Sequence, residues 1–190
     1  MRHNSRLLVT FAALLVPALS GSSSDYLSAK RKFDMIEKEQ VKAGSHVLLT
    51  PGELNAYVAQ EVTTVAPDGV RSPKLELGTG SASASALIDF AKVRRAQGKP
   101  PGWLMSKLLS GERPVNVSAR IDSGAGRATV HVQRVEISGI AIEGGMLDFL
   151  IRNYLLPVYP NAKVEKPFDL GHRIERLDVK PAAVGVVIGR

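Results

Sequence analysis

The residues of this chain that could carry out covalent or metal chemistry are few and widely spaced. Among its 190 residues there is no cysteine, which excludes a thiolate nucleophile, a disulfide framework and cysteine-ligated zinc. The histidines after residue 20 are His46, His131 and His172, and their spacing does not indicate shared metal ligation. Nucleophile-elbow, zinc-protease and phosphate-loop motifs are absent, and Gly124-Ala125-Gly126 is interpreted as a turn between strands. We therefore expect no catalytic residue, no metal and no cofactor, and we predict that the protein is not an enzyme.

A basic segment at residues 91–107 is the strongest candidate for contact with another surface. It contains no acidic residue, and the only tryptophan of the chain, Trp103, lies beside Leu104 and Met105. This combination suits an anionic membrane, where tryptophan lies at headgroup depth and the surface attracts cations. The alternative is a solvated loop with Trp103 packed onto the core. The predicted membrane-contact residues are Lys92, Arg94, Arg95, Lys99 and Trp103.

The first 20 residues have the pattern of a cleaved secretory signal peptide. Two arginines precede an uncharged apolar stretch at residues 7–19, and small residues follow. This stretch is shorter than the roughly 20 residues that span a bilayer, although an uncleaved anchor remains the alternative. We predict a signal peptide at 1–20, a flexible tether at 21–24 and a single periplasmic or secreted domain at 25–190.

The charge balance argues against a nucleic-acid partner. The formal net charge is +7. It falls to +5 without the first 20 residues, because that stretch contains Arg2 and Arg6 and no acidic residue. This excess is modest, and it suits solubility or contact with anionic headgroups better than nucleic acid.

Two amphipathic helices are expected early in the domain. Residues 25–43 carry apolar side chains at intervals of three or four, and Gly44 is expected to end this helix. Thr50-Pro51-Gly52-Glu53 has the pattern of a capping box with proline in the first turn. A second helix should therefore begin here and end before the turn at 67–69.

From residue 70 onward, the periodicity is that of strands. Residues 81–90 alternate strictly and place Ala82, Ala84 and Ala86 on one face. Alanines let a helix or an acyl chain approach the sheet closely, so a packed helix is the alternative to a ligand cavity here.

The remaining patterns complete an α+β fold. Residues 114–122 and the stretch after the next turn predict a hairpin. Near Gln133-Arg134 the apolar residues change from even-numbered to odd-numbered positions, which predicts a β-bulge and a curved sheet. An apolar helix is expected from Met146 until Pro157, and a second hairpin at about 174–188. We predict a curved antiparallel sheet of about five to seven strands, wrapped around or covered by amphipathic helices.

Two stretches resemble secreted bacterial tubular lipid-binding (TULIP-like) proteins. Residues 48–58 read Leu-Leu-Thr-Pro-Gly-Glu-Leu-Asn-Ala-Tyr-Val, and residues 135–142 read Val-Glu-Ile-Ser-Gly-Ile-Ala-Ile before the helix at Met146. In that family a helix start of the form Leu-Thr-x-x-Glu-Leu-Asn precedes long antiparallel strands, and a late apolar helix lies in the concavity of the sheet. The resemblance implies a single such module with an apolar groove for lipid, whereas the segment 91–107 has no counterpart in the family pattern. By position, the implied groove residues are Leu54, Tyr57, Val58, Leu150 and Tyr154.

From these observations we expect an extracytoplasmic lipid-binding or lipid-carrier protein that holds an acyl chain in an apolar groove between sheet and helix. Burial of apolar surface, at about 25 cal/mol per Å², would favour binding. The alternative is a non-enzymatic cell-envelope interaction module that fills its own groove and binds a protein partner through an exposed sheet edge. The predicted lipid-binding residues are Leu54, Tyr57, Val58, Ala82, Ala84, Ala86, Leu150 and Tyr154.

Overall fold

The structure, a computed structural model, describes residues 20–65, 68–96, 98, 110–157 and 163–190. Residues 1–19 of the predicted signal peptide lie outside this part of the chain, as do Lys99 and Trp103. The elements are, in chain order, α1 (Ser20–Glu37), β1 (His46–Leu49), α2 (Pro51–Val65), β2 (Val70–Leu77), β3 (Ser81–Asp89), α3 (Phe90–Ala96), β4 (Glu112–Gly124), β5 (Arg127–Ile137), β6 (Ile140–Ala141), α4 (Gly144–Leu150), a π-helical turn (Ile151–Leu155), β7 (Phe168–Asp169), β8 (Ile174–Lys180) and β9 (Ala183–Ile188). Among the described residues no helix is long and apolar enough to cross a membrane.

The fold is α+β with antiparallel sheets, as predicted, but it has two sheets where the sequence predicted one. The small sheet has the order β1-β9-β8, and the large sheet has the order β2-β3-β4-β5-β6, with β7 also paired to β5. The C-terminal hairpin pairs with β1 from the start of the domain, so it forms a separate sheet. We call β1, β8, β9, α1 and α2 the small-sheet half, and the other elements the large-sheet half.

The small-sheet half has a core filled by side chains from both helices and all three strands. Aromatic rings contribute to this core, because the Phe33 and Tyr57 rings lie 4.5 Å apart and the Tyr26 and Tyr57 rings are stacked at 6.0 Å. The buried members of the cluster are Ala29, Ile36, Val41, Leu49, Val186 and Ile188.

The start of α2 confirms the predicted capping box. The Thr50 amide donates to Glu53 Oε2 (2.8 Å), and the Glu53 amide donates to Thr50 Oγ1 (3.2 Å). Glu53 is only 5% exposed, and its carboxylate also accepts hydrogen bonds from Lys32 Nζ (2.6 Å) and Ser28 Oγ (2.5 Å) on α1. Burial alone raises the pKa of Glu53, but the bonds from Lys32, Ser28 and Thr50 outweigh it and lower the pKa to about 2. The capping residue therefore also fastens α1 to α2.

Asn55, one turn further along α2, joins this helix to the large sheet. Its side-chain amide donates to the Leu75 carbonyl (2.8 Å) and accepts from the Leu75 amide (2.7 Å). Leu75 lies on β2, an edge strand of the large sheet, so Asn55 takes the place of a neighbouring strand at that point. Glu53 and Asn55 are both in the stretch that resembles the tubular lipid-binding proteins, and both have structural roles.

The predicted β-bulge is confirmed at Gln133. Ser118 pairs with Arg134 and Ala119 pairs with Val132, so Gln133 has no partner on β4. A second irregularity lies between Arg71 and Lys74, where β2 contains Pro73. Proline is tolerated there because β2 is an edge strand.

Helix α1 differs from its predicted limits at both ends. Residues 21–24, predicted as a flexible tether, are helical. At the other end, Glu39 adopts a left-handed conformation (φ 52°), and the Gln40 amide donates to the Met35 carbonyl (2.9 Å), as in a Schellman motif. The helix thus ends at Glu37 and not near Gly44, because the chain must turn back to bury Val41 in the small-sheet core.

Candidate functional site

An apolar cavity of about 370 Å³ lies against one face of the large sheet. Of the sixteen lining residues that the structure describes, fifteen have purely hydrocarbon side chains and the sixteenth is Tyr154. Its volume falls within the range of small-molecule binding pockets, ~300–1,000 Å³. The lining residues are Val62, Val70, Ile88, Phe90, Val93, Val115, Val117, Val132, Val135, Ile137, Leu147, Leu150, Ile151, Tyr154, Leu155 and Val164.

Strand alternation makes one face of the large sheet apolar and the other polar. On β4, Val115 and Val117 line the cavity, whereas Asn116 and Ser118 lie at a polar depression on the opposite face. That depression is bordered on one side by the ion pair of Lys74 with Glu76 and on the other by the ion pair of Arg134 with Glu136. The floor of the cavity therefore follows from the sequence pattern of β4.

The bulge at Gln133 lets β5 contribute two valines to the same floor. Val132 pairs with Ala119 and Val135 pairs with Val117, so both valines share the cavity face of β4. Without the extra residue, positions 132 and 135 would point to opposite faces, because side chains alternate along a strand. The shift of the apolar positions along β5 in the sequence thus determines how far the apolar surface extends across this face of the sheet.

Helix α4 and the π-helical turn form the opposite wall. The Leu156 amide donates to the Ile151 carbonyl (2.9 Å), a π-type bond, and the Asn153 side chain donates to the Phe149 carbonyl (2.9 Å). The Asn153 side chain therefore supplies a hydrogen bond to the carbonyl four residues before it. π-Helical turns occur frequently at functional sites.

Arg94 and Tyr154 lie together beside this wall. The guanidinium carbon of Arg94 is 5.8 Å from the centre of the Tyr154 ring, and Arg94 Nη1 donates to the Asn153 carbonyl (3.2 Å). The Tyr154 ring also makes edge-on contacts with Phe90, at 5.1 Å, and with Phe149, at 6.3 Å. Burial raises the pKa of the Tyr154 phenol, while Arg94 acts in the opposite direction, so this hydroxyl stays neutral at physiological pH.

The segment at residues 163–166 closes the cavity beside β5. Val164 lines the cavity, and the next residue, Glu165, accepts a hydrogen bond from the Val132 amide and lies 2.8 Å from His131 Nδ1. The hydrogen bonds from His131 and the Val132 amide hold the pKa of Glu165 below its usual value. These contacts hold the segment against the sheet.

Only part of the predicted lipid-binding set meets at this cavity. Leu150 and Tyr154 line it. Leu54 and Tyr57 pack instead in the core of the small-sheet half. Val58, half-buried, is not among the lining residues, and α2 reaches the cavity through Val62.

The three predicted alanines lie on the cavity face of the sheet, away from the cavity itself. Ala84 pairs with Val117 and Ala86 with Val115, which places them on the apolar side. Ala84 is exposed, Ala82 and Ala86 are half-buried, and none of the three lines the cavity. The valines of β4 and β5 form the floor, and the alternation along β4, together with the shift at Gln133 on β5, was the signal that could have identified them.

The predicted membrane-contact residues are described in part. Lys92 and Arg95 are exposed on α3, whose first turn is capped by a bond from the Lys92 amide to Asp89 Oδ1 (3.0 Å). Phe90 and Val93 of the same helix are buried and line the cavity. The sequence pattern placed Phe90 on the apolar face of the strand predicted at 81–90, and Val93 was missed because 91–107 was treated as a single basic segment.

The described residues hold no cluster of three or more histidine, aspartate or glutamate side chains arranged to bind a metal ion. His131 lies between Asp122 and Glu165, while His46 and His172 are exposed elsewhere. Comparison with known proteins found no matching family model, no matching curated protein and no matching solved structure.

Proposed function

We propose that this protein is an extracytoplasmic lipid-binding or lipid-carrier protein that holds an acyl chain in the cavity of the large-sheet half. The proposal rests on the lining of this cavity of about 370 Å³, where the described residues contribute fifteen hydrocarbon side chains and one tyrosine. A cavity with this lining offers water few hydrogen-bonding groups, and apolar cavities accept apolar ligands. An acyl chain gains free energy by leaving water for such a space.

The position of the cavity also supports contact with a lipid surface. Helix α3 presents Lys92 and Arg95 to solvent, while Phe90 and Val93 of the same helix line the cavity. We propose that these cations bring the cavity close to an anionic membrane, from which the chain is taken up.

The alternative, a partner-binding module that uses a free sheet edge, has less support. Backbone groups on three edge strands are already engaged by side chains. Lys32 Nζ donates to the Leu48 carbonyl on β1 (2.7 Å), and Asn55 bonds to both backbone groups of Leu75 on β2. On β8, Ser123 Oγ bonds to both backbone groups of Leu177, at 3.0 and 2.9 Å. Each contact blocks addition of a strand at that point.

Native mass spectrometry of the protein purified from its own host tests the proposal. We expect a population heavier than the bare chain by the mass of one lipid, which is released when the protein is denatured. A single bare mass, together with no uptake of an added fluorescent fatty acid, would contradict lipid binding and favour the interaction module.

A further inference from the structure

Arg94 is the charged side chain placed to meet the polar end of a ligand whose chain lies in the cavity. Its guanidinium lies over the ring of Tyr154, and among the described lining residues Tyr154 alone has a polar side-chain atom. The cation is thus separated from the apolar cavity by a single aromatic ring.

Most of the hydrogen-bonding capacity of Arg94 is free of protein partners among the described residues. A guanidinium has five N–H donors, and the structure shows one used, toward the Asn153 carbonyl. In the described part of the chain, no carboxylate lies within ion-pair distance of Arg94. A half-buried arginine of this kind favours a carboxylate or phosphate that can accept two hydrogen bonds at once.

The cavity volume suits one chain. A cavity of about 150 Å³ holds a benzene molecule, so 370 Å³ accommodates on the order of 15 carbon atoms. Two acyl chains of ordinary length exceed this space, whereas a single chain fits.

Resting on the function proposed above, we propose that Arg94 binds the anionic headgroup of the ligand, which is therefore a single-chain anionic amphiphile of the fatty-acid type. The chain lies against the valines of β4 and β5, and the headgroup is held by the guanidinium beside Tyr154. The stacked ring limits the motion of the guanidinium, so less conformational freedom is lost on binding.

Two ligands that share a chain and differ in charge test this assignment: cis-parinaric acid, whose fluorescence reports its binding, and its uncharged methyl ester. We expect the wild-type protein to bind the acid about tenfold more tightly than the ester, the contribution of one charge-assisted hydrogen bond. Arg94→Gln should remove this preference and leave the affinity for the ester unchanged. Arg95→Gln, which changes the adjacent exposed cation of the same helix, is the matched control and should alter neither affinity.

Arg94→Lys tests the positive charge apart from the guanidinium geometry, because lysine keeps the charge but loses the planar pair of N–H donors. This variant should retain part of the preference for the acid. Thermal melting of each variant verifies that it is folded.

Equal binding of acid and ester by the wild-type protein would overturn the headgroup assignment and leave the acyl-chain proposal standing. An equal loss of both ligands in Arg94→Gln would also overturn it, since Arg94 would then only support Tyr154. Failure of the wild-type protein to bind either ligand would overturn both proposals.

Discussion

The small-sheet half fills its interior with side chains, whereas the large-sheet half leaves a cavity of about 370 Å³. In the first, the 18-residue α1 and the 15-residue α2 cover a sheet of short strands, and the rings of Phe33 and Tyr57 occupy the space between them. In the second, the seven-residue α4 and a five-residue π-helical turn lie against strands of 13 and 11 residues.

The rise per residue explains much of this difference. A strand of 13 residues extends about 43 Å, at ~3.3 Å per residue. Twelve residues of helix extend no more than about 18 Å, at ~1.5 Å per residue. In the described part of the chain, the helix therefore covers less of the large sheet than the long helices cover of the small one. The comparison shows that side chains fill one half, whereas an apolar cavity remains in the other.

The largest expected effect is on the stability of the small-sheet half. Glu53→Gln removes the charge that pairs with Lys32, whose side chain is only 30% exposed. We expect the free energy of unfolding to fall by about 3 kcal/mol, the lower end for breaking a buried pair. Chemical denaturation measures this change, and Glu37→Gln, at an exposed carboxylate of α1, should change stability by less than about 0.5 kcal/mol. Loss of acyl-chain binding by Glu53→Gln under conditions where it is still folded would mean that the two halves do not have separate roles.

Acid should reproduce part of this loss in the wild-type protein. The folded-state pKa of Glu53 is about 2, below its ordinary value of 4.5, so the unfolded chain binds more protons between these limits. Its contribution is complete above about pH 4.5 and declines as the pH falls toward 2, with a loss of about 2 kcal/mol at pH 3. The difference in unfolding free energy between the wild-type protein and Glu53→Gln isolates this group from other carboxylates. A difference that stays constant from neutral pH to pH 3 would contradict the assignment.

A smaller effect, on ligand affinity, is expected in the large-sheet half. Val117→Trp places a large ring in the cavity, and Asn116→Trp places the same ring on the opposite face of the same strand. We expect Val117→Trp to weaken binding of cis-parinaric acid at least about tenfold, or about 1.4 kcal/mol, and Asn116→Trp to leave it unchanged. Fluorescence titration measures both affinities, with thermal melting to establish that each variant folds. Equal affinities for the two variants would show that the acyl chain does not occupy this cavity.

Local patterns in the sequence predicted the elements of the fold with fair accuracy. The capping box at Thr50 and Glu53 and the bulge at Gln133 were both found where the sequence placed them. Each depends on hydrogen bonds or alternation within a few residues, so neighbouring residue types are sufficient to encode it. The end of α1 was predicted wrongly because its cause, the burial of Val41, depends on a sheet formed with residues 183–188.

The candidate site was predictable only in part, and the reason is again the distance along the chain between contacting residues. The resemblance placed Leu150 and Tyr154 in a groove by position, and both line the cavity. Leu54 and Tyr57 have the same amphipathic spacing, but they pack in the core of the small-sheet half, whereas Val62 of the same helix lines the cavity. Periodicity does not state which of two cores a helical residue will join.

The sequence by itself determined the α+β class, the apolar alternation of β4 and the shift of parity in β5, because side-chain direction along a strand follows from the backbone. Tertiary structure alone decided that the C-terminal hairpin joins β1 and that Tyr57 belongs to a filled core. It also decided that Arg94 lies against Tyr154, 60 positions further along the chain, at the edge of a cavity. These pairings are selected by competition among many apolar surfaces for burial, which depends on the whole chain and not on any one segment.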